Sequence, residues 1–234
     1  MTEIQKYWAV IPAAGIGKRM QADRPKQYLE LHGRTVLEHT LARFLDHPQI
    51  NGVVVAVSDG DPYWQQLAIN HPKLSVAPGG EERCHTVLNA LRVLQQHASD
   101  SDWVLVHDAA RPCLRREDID RLIATLHNHA VGGLLGLPVA DTMKRTAPDD
   151  TVIETVPRDN LWRALTPQMF RLGELTEALE SALQKGQMVT DDASAMELAG
   201  MAPKMVEGHG DNIKITRPQD LILAELYLAQ HQNV

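Results

Sequence analysis

Apolar positions along the chain come in two alternating kinds of run. Short unbroken stretches, KYWAVIP at the start and GVVVAVS at 52–58, show no polar alternation. A strand of that kind is covered on both faces, as in a parallel sheet. Between them, TVLEHTLARFLDH at 35–47 places Val36, Leu37, Leu41, Phe44 and Leu45 at helical spacing. The alternation continues with a short helix over YWQQLAIN, a strand over LSVAP and a helix over ERCHTVLNALRVLQQH. Then come a strand and loop over WVLVHDAARP, an amphipathic helix over REDIDRLIATLHNH and a strand over GGLLGLPV. Strand and helix alternating to about residue 139 predict an α/β fold: an open, Rossmann-like, mostly parallel sheet with helices on both faces.

The pattern then breaks. From Asp141 to Gln168 the chain is polar, with β-type pieces DTMKRT and TVIETVP around the turn APDD. This predicts a protruding β-arm over 139–167. An isolated hairpin is barely stable alone, so the arm is expected to pack on something, a second subunit being the natural candidate. Helical spacing resumes in RLGELTEALESALQKG and DDASAMELAG, and a final strand, DNIKIT, and helix, PQDLILAELYLAQ, follow. The expected organisation is one domain over 1–234 with the arm as an excursion.

Composition narrows the class. At 44% apolar and 4% aromatic residues, the core must be largely aliphatic. No apolar run approaches the ~18 residues of a membrane-spanning helix, and MTEIQKYWAVIP lacks the charge and length pattern of a signal peptide. Cys84 and Cys113 have no metal-type spacing, which points to a reducing, cytoplasmic setting. The net charge of -7 argues against non-specific nucleic-acid binding. It leaves room for a local cationic cleft.

Three segments carry candidate chemistry. After the first strand, IPAAGIGKRM leads into QADRPKQYLEL, with small residues Ala13, Ala14, Gly15 and Gly17 followed by Lys18, Arg19, Arg24 and Lys26. The spacing is not a P-loop, because Gly15 and Gly17 are too close and no Ser or Thr follows Lys18. It is not a dinucleotide fingerprint, because Met20 stands at the third glycine position. A backbone nest for a polyphosphate remains, with charge from Arg19 and Lys26; a βα turn with solvated cations accounts for the same residues. In WVLVHDAARP, Asp108 at a strand tip suits Mg²⁺, or else pairs with Arg111. In PGGEERCHTVLNAL, Gly79 and Gly80 precede a helix; their backbone could touch a base, or the segment is simply a helix start.

Taken in series, PAAGIGKRM, RPKQYLEL, GGEERCHTVLNAL, VHDAARP, ADTMKR, LWRALTPQMF, VTDDASAMEL and DNIKITRPQDL resemble the 2-C-methyl-D-erythritol 4-phosphate cytidylyltransferase family of the non-mevalonate isoprenoid pathway. The resemblance implies CTP as co-substrate, Mg²⁺ as cofactor and a homodimer joined through the arm. A phosphate oxygen of the acceptor would attack the α-phosphorus of CTP, with no covalent enzyme intermediate. In-line transfer of this kind asks for positioning and charge neutralisation. By resemblance, Ala13, Ala14 and Gly15 surround the CTP phosphates, and Arg19 and Lys26 stabilise charge at the α-phosphate. Gly79, Gly80, Arg83 and Thr86 line the cytidine pocket. Asp108 holds Mg²⁺, and Ala109 lies beside the nucleotide. Arg111, Thr142, Arg158, Thr166, Thr190 and Lys214 bind the acceptor, with Arg158 and Lys214 orienting the attacking phosphate. Thr142 and Arg158 serve the neighbouring subunit's site. Without the resemblance, Arg158 reads as a solvated turn residue and Thr190 equally as a helix N-cap. Lys214 reads as the outward residue of a strand between Ile213 and Ile215. Asp211 is a weaker candidate for metal or phosphate. His85 and His107 are expected to be structural or solvated. Rival readings are a cytidylyltransferase for another polyol phosphate such as ribitol 5-phosphate, a sugar-1-phosphate nucleotidyltransferase, and a non-catalytic nucleotide-binding regulator.

Overall fold

The protein is described from a computed structural model, which covers residues 5–15 and 23–231. Among these residues a seven-stranded sheet has the order β11-β7-β10-β6-β1-β4-β5. Its strands are β1 (Tyr7–Pro12), β4 (Ile50–Val57), β5 (Leu74–Pro78), β6 (Trp103–Val106), β7 (Gly132–Pro138), β10 (Trp162–Arg171) and β11 (Lys204–Glu207). β1 is parallel to β4 and β6, β4 to β5, and β7 to β11; β10 runs antiparallel to both β6 and β7. The mostly parallel sheet expected from the unbroken apolar runs is therefore present.

Successive residues of the strands feed opposite layers. Ala9, Ile11, Val53 and Val55 pack with α1 (Val36–Leu45) and α4 (Arg116–Leu126), while Val10, Val54, Ala56 and Val104 pack with α3 (Arg83–Leu94), α5 (Leu172–Gln184) and α6 (Asp192–Leu198). A period of two with apolar residues on both sides is what a doubly covered strand requires. A third cluster holds Leu31, Val36, Ala110, Cys113 and Ile215 against Ala224 and Leu228 of α7 (Pro218–His231). The chain also forms a small ladder, β2 (Glu30–Leu31) with β3 (Arg34–Thr35), and a short helix, α2 (Pro62–Leu67).

From β1 the chain steps outward to β4 and β5, then returns to place β6 on the other side of β1. The carboxyl ends of β1 and β6 thus flank the point where strand order reverses, the crevice in which open α/β sheets bind ligands. The loops leaving these two strands carry Ala13–Gly15 and Asp108–Arg111.

The arm is a hairpin of β8 (Met143–Thr146) and β9 (Val152–Val156), antiparallel and exposed along nearly its whole length. Two segments differ from the expected layout. Residues 162–167, counted with the excursion, belong to β10, where Trp162, Arg163 and Ala164 pair with β7 ahead of an irregularity that lasts to Gln168. The strand expected over DNIKIT joins no ladder; that segment is irregular and is pinned by the Ile215 amide donating to the Ala110 carbonyl at 2.9 Å. The edge position is taken instead by β11. No helix among the described residues is long and apolar enough to cross a membrane.

Candidate active site

The loop after β1 is tied back through its carbonyls. Nε2 of Gln27 donates to the Ala13 carbonyl at 2.6 Å and to that of Gly15 at 3.0 Å, and Oγ of Ser58 donates to Ala14 at 3.1 Å. With the acceptor side so engaged, carbonyl dipoles are drawn away from an incoming anion. Gly79 allows a close approach behind this loop, since a Cβ there would meet Cβ of Ala14 at 2.4 Å. Gly80 donates its amide to Oγ1 of Thr86 at 3.0 Å, and Thr86 in turn donates to the Glu82 carbonyl at 3.0 Å, which fixes the start of α3. Ala13, Ala14, Gly15, Lys26, Gly80, Arg83, Thr86, Asp108, Ala109 and Lys214 are brought together around one cavity of about 270 Å³. Gly79 packs behind the wall rather than lining it.

A second cavity of about 260 Å³ adjoins the first and is lined by Arg111, Thr166, Thr190, Asp191 and Gln168. Arg83, Asp108 and Lys214 line both cavities and form the wall between them. In that wall Asp108 accepts from Nε of Arg83 at 3.2 Å, Nε of Arg111 at 3.3 Å and Nζ of Lys214 at 2.9 Å. Burial works against its charge, but Arg83, Lys214 and Arg111 outweigh it and hold the carboxyl far below the usual carboxylate range. Arg83 also grips Asp192 through both terminal nitrogens, at 3.1 and 2.7 Å. Burial opposes its charge too, yet Asp192 and Asp108 keep the guanidinium above its ordinary value. Arg83, Arg111 and Lys214 converge on Asp108, and Lys26 adds a fourth cation to the linings, where Glu81, Glu82 and Asp191 are the other carboxylates.

The loop that carries Asp108 is braced by a buried ring. Nδ1 of His107 lies 3.0 Å from Oγ1 of Thr166, and Nε2 donates to the Arg111 carbonyl at 3.0 Å. Thr166 accepts from the Asp108 amide at 3.2 Å through the same hydroxyl. One hydroxyl proton then goes to His107, which makes the ring neutral with its proton on Nε2. Burial pushes His107 down to about 4, in keeping with that form. Asn212 closes the ring, donating to the Thr166 carbonyl and accepting from Arg111, both at 2.7 Å.

Other expected residues fall elsewhere. Arg19 lies outside the described residues. Thr142 and Arg158 are exposed and line neither cavity within their own chain; Arg158 donates to the Ala140 carbonyl. Thr190 is not the cap of α6: Asp191 is, in a capping box with Ser194. Asp211 is engaged by Arg115 at 2.6 Å and His231 at 2.8 Å, away from both cavities. Cys84 and Cys113 are buried and free. Gln27, Asn212 and Asp192 were not anticipated. The two amides stand next to buried Tyr28 and half-buried Ile213, a usable sign of inward-facing polar groups. The Arg83–Asp192 contact joins residues 109 positions apart, and no local pattern carries it.

The family model for 2-C-methyl-D-erythritol 4-phosphate cytidylyltransferase matches residues 7–230. The chain belongs to this family. It is accordingly a nucleotidyltransferase. Relatives of that name include one from Pseudomonas fluorescens, 58% identical over 217 residues and 92% of each chain, and one from Vibrio vulnificus, 54% identical over 226 residues and covering 96% of this chain and 95% of its own. The crystal structure of the Francisella tularensis cytidylyltransferase superposes with a TM-score of 0.84 at 39% identity, covering 95% of this chain and all of that one. The Thermus thermophilus structure gives 0.79 at 34% identity, covering 97% of this chain and 100% of that one.

Proposed function

We propose that the two adjoining cavities receive the two substrates of a cytidylyl transfer from CTP to 2-C-methyl-D-erythritol 4-phosphate. The triphosphate lies on the Ala13–Gly15 loop beside Lys26, and the cytosine faces Gly80 and Thr86 with Gly79 behind. The acceptor phosphate lies in the second cavity on Arg111, Thr166, Thr190 and Lys214. An acceptor phosphate oxygen forms a bond to the α-phosphorus while the bond to the α–β bridging oxygen breaks, and the pair of electrons leaves with pyrophosphate. Lys26 and Arg19 carry the charge that builds on the α-phosphate. The nucleophile is already an anion, so the site needs no general base, and the neutral, buried His107 is a brace for the Asp108 loop.

Asp108 fits Mg²⁺. It is ionised, it lines the nucleotide cavity, and its Oδ1 takes only one of the three protein donors, which leaves an acceptor position for a cation whose other ligands are phosphate oxygens and water. Such an ion supplies neutralisation of the triphosphate. Arg83 acts as a positioning residue that anchors Asp108 to α6 as well as bordering the nucleotide. Thr142 and Arg158 reach the site of a second subunit, with the exposed β8–β9 hairpin as the device of a homodimer, and the enzyme works in the cytoplasm.

The observation that supports this reading best is the shared wall of Arg83, Asp108 and Lys214 between two adjoining cavities of about 270 and 260 Å³. Pyrophosphate release from CTP, measured with 2-C-methyl-D-erythritol 4-phosphate and with ribitol 5-phosphate, tests it. The first acceptor is expected to give turnover and the second little. Turnover with ribitol 5-phosphate alone would reassign the acceptor, and none with either would remove the catalytic reading.

A further inference from the structure

A third cavity, of about 340 Å³, lies beside α1 and away from both substrate chambers. Arg34, Arg43 and Arg116 line it together with His39, His47 and His231, and the carboxylate on its lining is Asp46. On a chain of net charge -7 this is a marked local reversal of sign.

The cations are incompletely matched. Among the described residues, the Arg34 guanidinium has no hydrogen-bond or ion-pair partner. Arg43 donates from Nε to the Pro112 carbonyl at 3.2 Å, which leaves its two terminal nitrogens for the cavity. Arg116 comes no nearer than 3.9 Å to Asp120. Among the described residues, two ring nitrogens, Nε2 of His47 and Nδ1 of His231, are buried without a hydrogen-bond partner. Nε2 of His47 does lie 3.2 Å from Asp120, but the approach is not aligned for a hydrogen bond. Asp211, a further carboxylate near this end beside Asp46 and Asp120, is taken up by Arg115 and by the far nitrogen of His231. Buried polar groups ordinarily find partners, and guanidinium groups match phosphate oxygens in pairs.

We propose that this cavity is a binding site for a small phosphate-bearing anion, separate from the CTP and acceptor chambers. It has room for a phosphomonoester as well as the bare ion, and it touches the active-site loop through the bond from Arg43 to Pro112, four residues beyond Asp108.

Nuclear magnetic resonance of the histidine rings tests the proposal on the full chain at constant ionic strength. Inorganic phosphate is the first probe and glycerol 3-phosphate the second, the tighter of the two showing whether the site prefers the ion or an ester. The signals of His39, His47 and His231 are expected to shift saturably, with the same midpoint in a Lys26→Ala background that impairs the nucleotide chamber. In Arg34→Gln with Arg116→Gln, both changed at exposed positions, the affinity falls about tenfold or more through loss of charge-assisted bonds. Arg34→Gln alone gives a milder variant if the pair disturbs folding. Histidine signals that do not move, or midpoints unchanged in both variants, would overturn the proposal.

Discussion

The Lys26 ammonium reaches the Ile215 carbonyl at 2.8 Å and borders the nucleotide chamber, next to the segment that presents Lys214. Its replacement is expected to act on the rate more than on binding. Lys26→Ala lowers kcat about 10²–10³-fold, the scale of losing one oxyanion donor, as read by pyrophosphate release at saturating CTP. Near-normal turnover would refute the role. His107 acts on stability instead. Its folded value is lowered by burial to about 4 from an ordinary 6.5. The unfolded chain therefore takes up the proton first as pH falls. The stabilising effect is complete above about pH 6.5, is lost progressively towards about pH 4, and amounts to on the order of 3 kcal/mol. His39 and His47, also lowered by burial, add in the same direction. Urea midpoints between pH 7 and pH 4.5 are expected to fall less in His107→Asn than in the parent; equal slopes would show that another group is responsible.

At the scale of elements, the β8–β9 arm gains little from its own chain. It exposes Met143, Val152 and Ile153, which suits contact with a second subunit. If Arg158 serves the neighbour, mixing Arg158→Ala with Lys26→Ala subunits recovers partial activity, because a hybrid dimer keeps one intact composite site. Confirmed mixed dimers without recovery would count against the crossover. The arm was legible because β-type pieces flank the turn APDD, and β1, β4, β6 and β7 because doubly covered strands are unbroken apolar runs. β10 was not legible. Its polar residues are matched by distant partners: Gln168 bonds Asp191 and the Ala193 amide, and Arg171 lies 3.8 Å from the Trp103 ring centroid. Pro167 within it also argues against a central strand. DNIKIT misled for the converse reason. Its alternation is real, with Ile215 buried and Lys214 on Asp108, but single anchors hold it rather than a ladder. The loop residues of the site were visible as segments, whereas the Arg83–Asp192 bridge and the Gln27 clamp are products of tertiary folding.

At the scale of the molecule, a chain of net charge -7 must attract two phosphorylated substrates. Attraction then depends on cationic hollows that are local and open to screening, since the Debye length is ~10 Å at 0.1 M salt. kcat/KM for CTP is expected to drop several-fold as potassium chloride is raised from low to high ionic strength, with the melting temperature moving little. A flat response would place steering elsewhere. The partition of Arg83, Asp108 and Lys214 has a further consequence. Because one set of charges faces both chambers, the occupants are not independent tenants. A nucleotide whose phosphates drew on Lys214 or Arg83 would compete with Asp108 for them and so alter the field that the neighbouring chamber presents. The affinity for either substrate is then expected to depend on whether the other is bound, which titrating each in the presence and absence of the other would read.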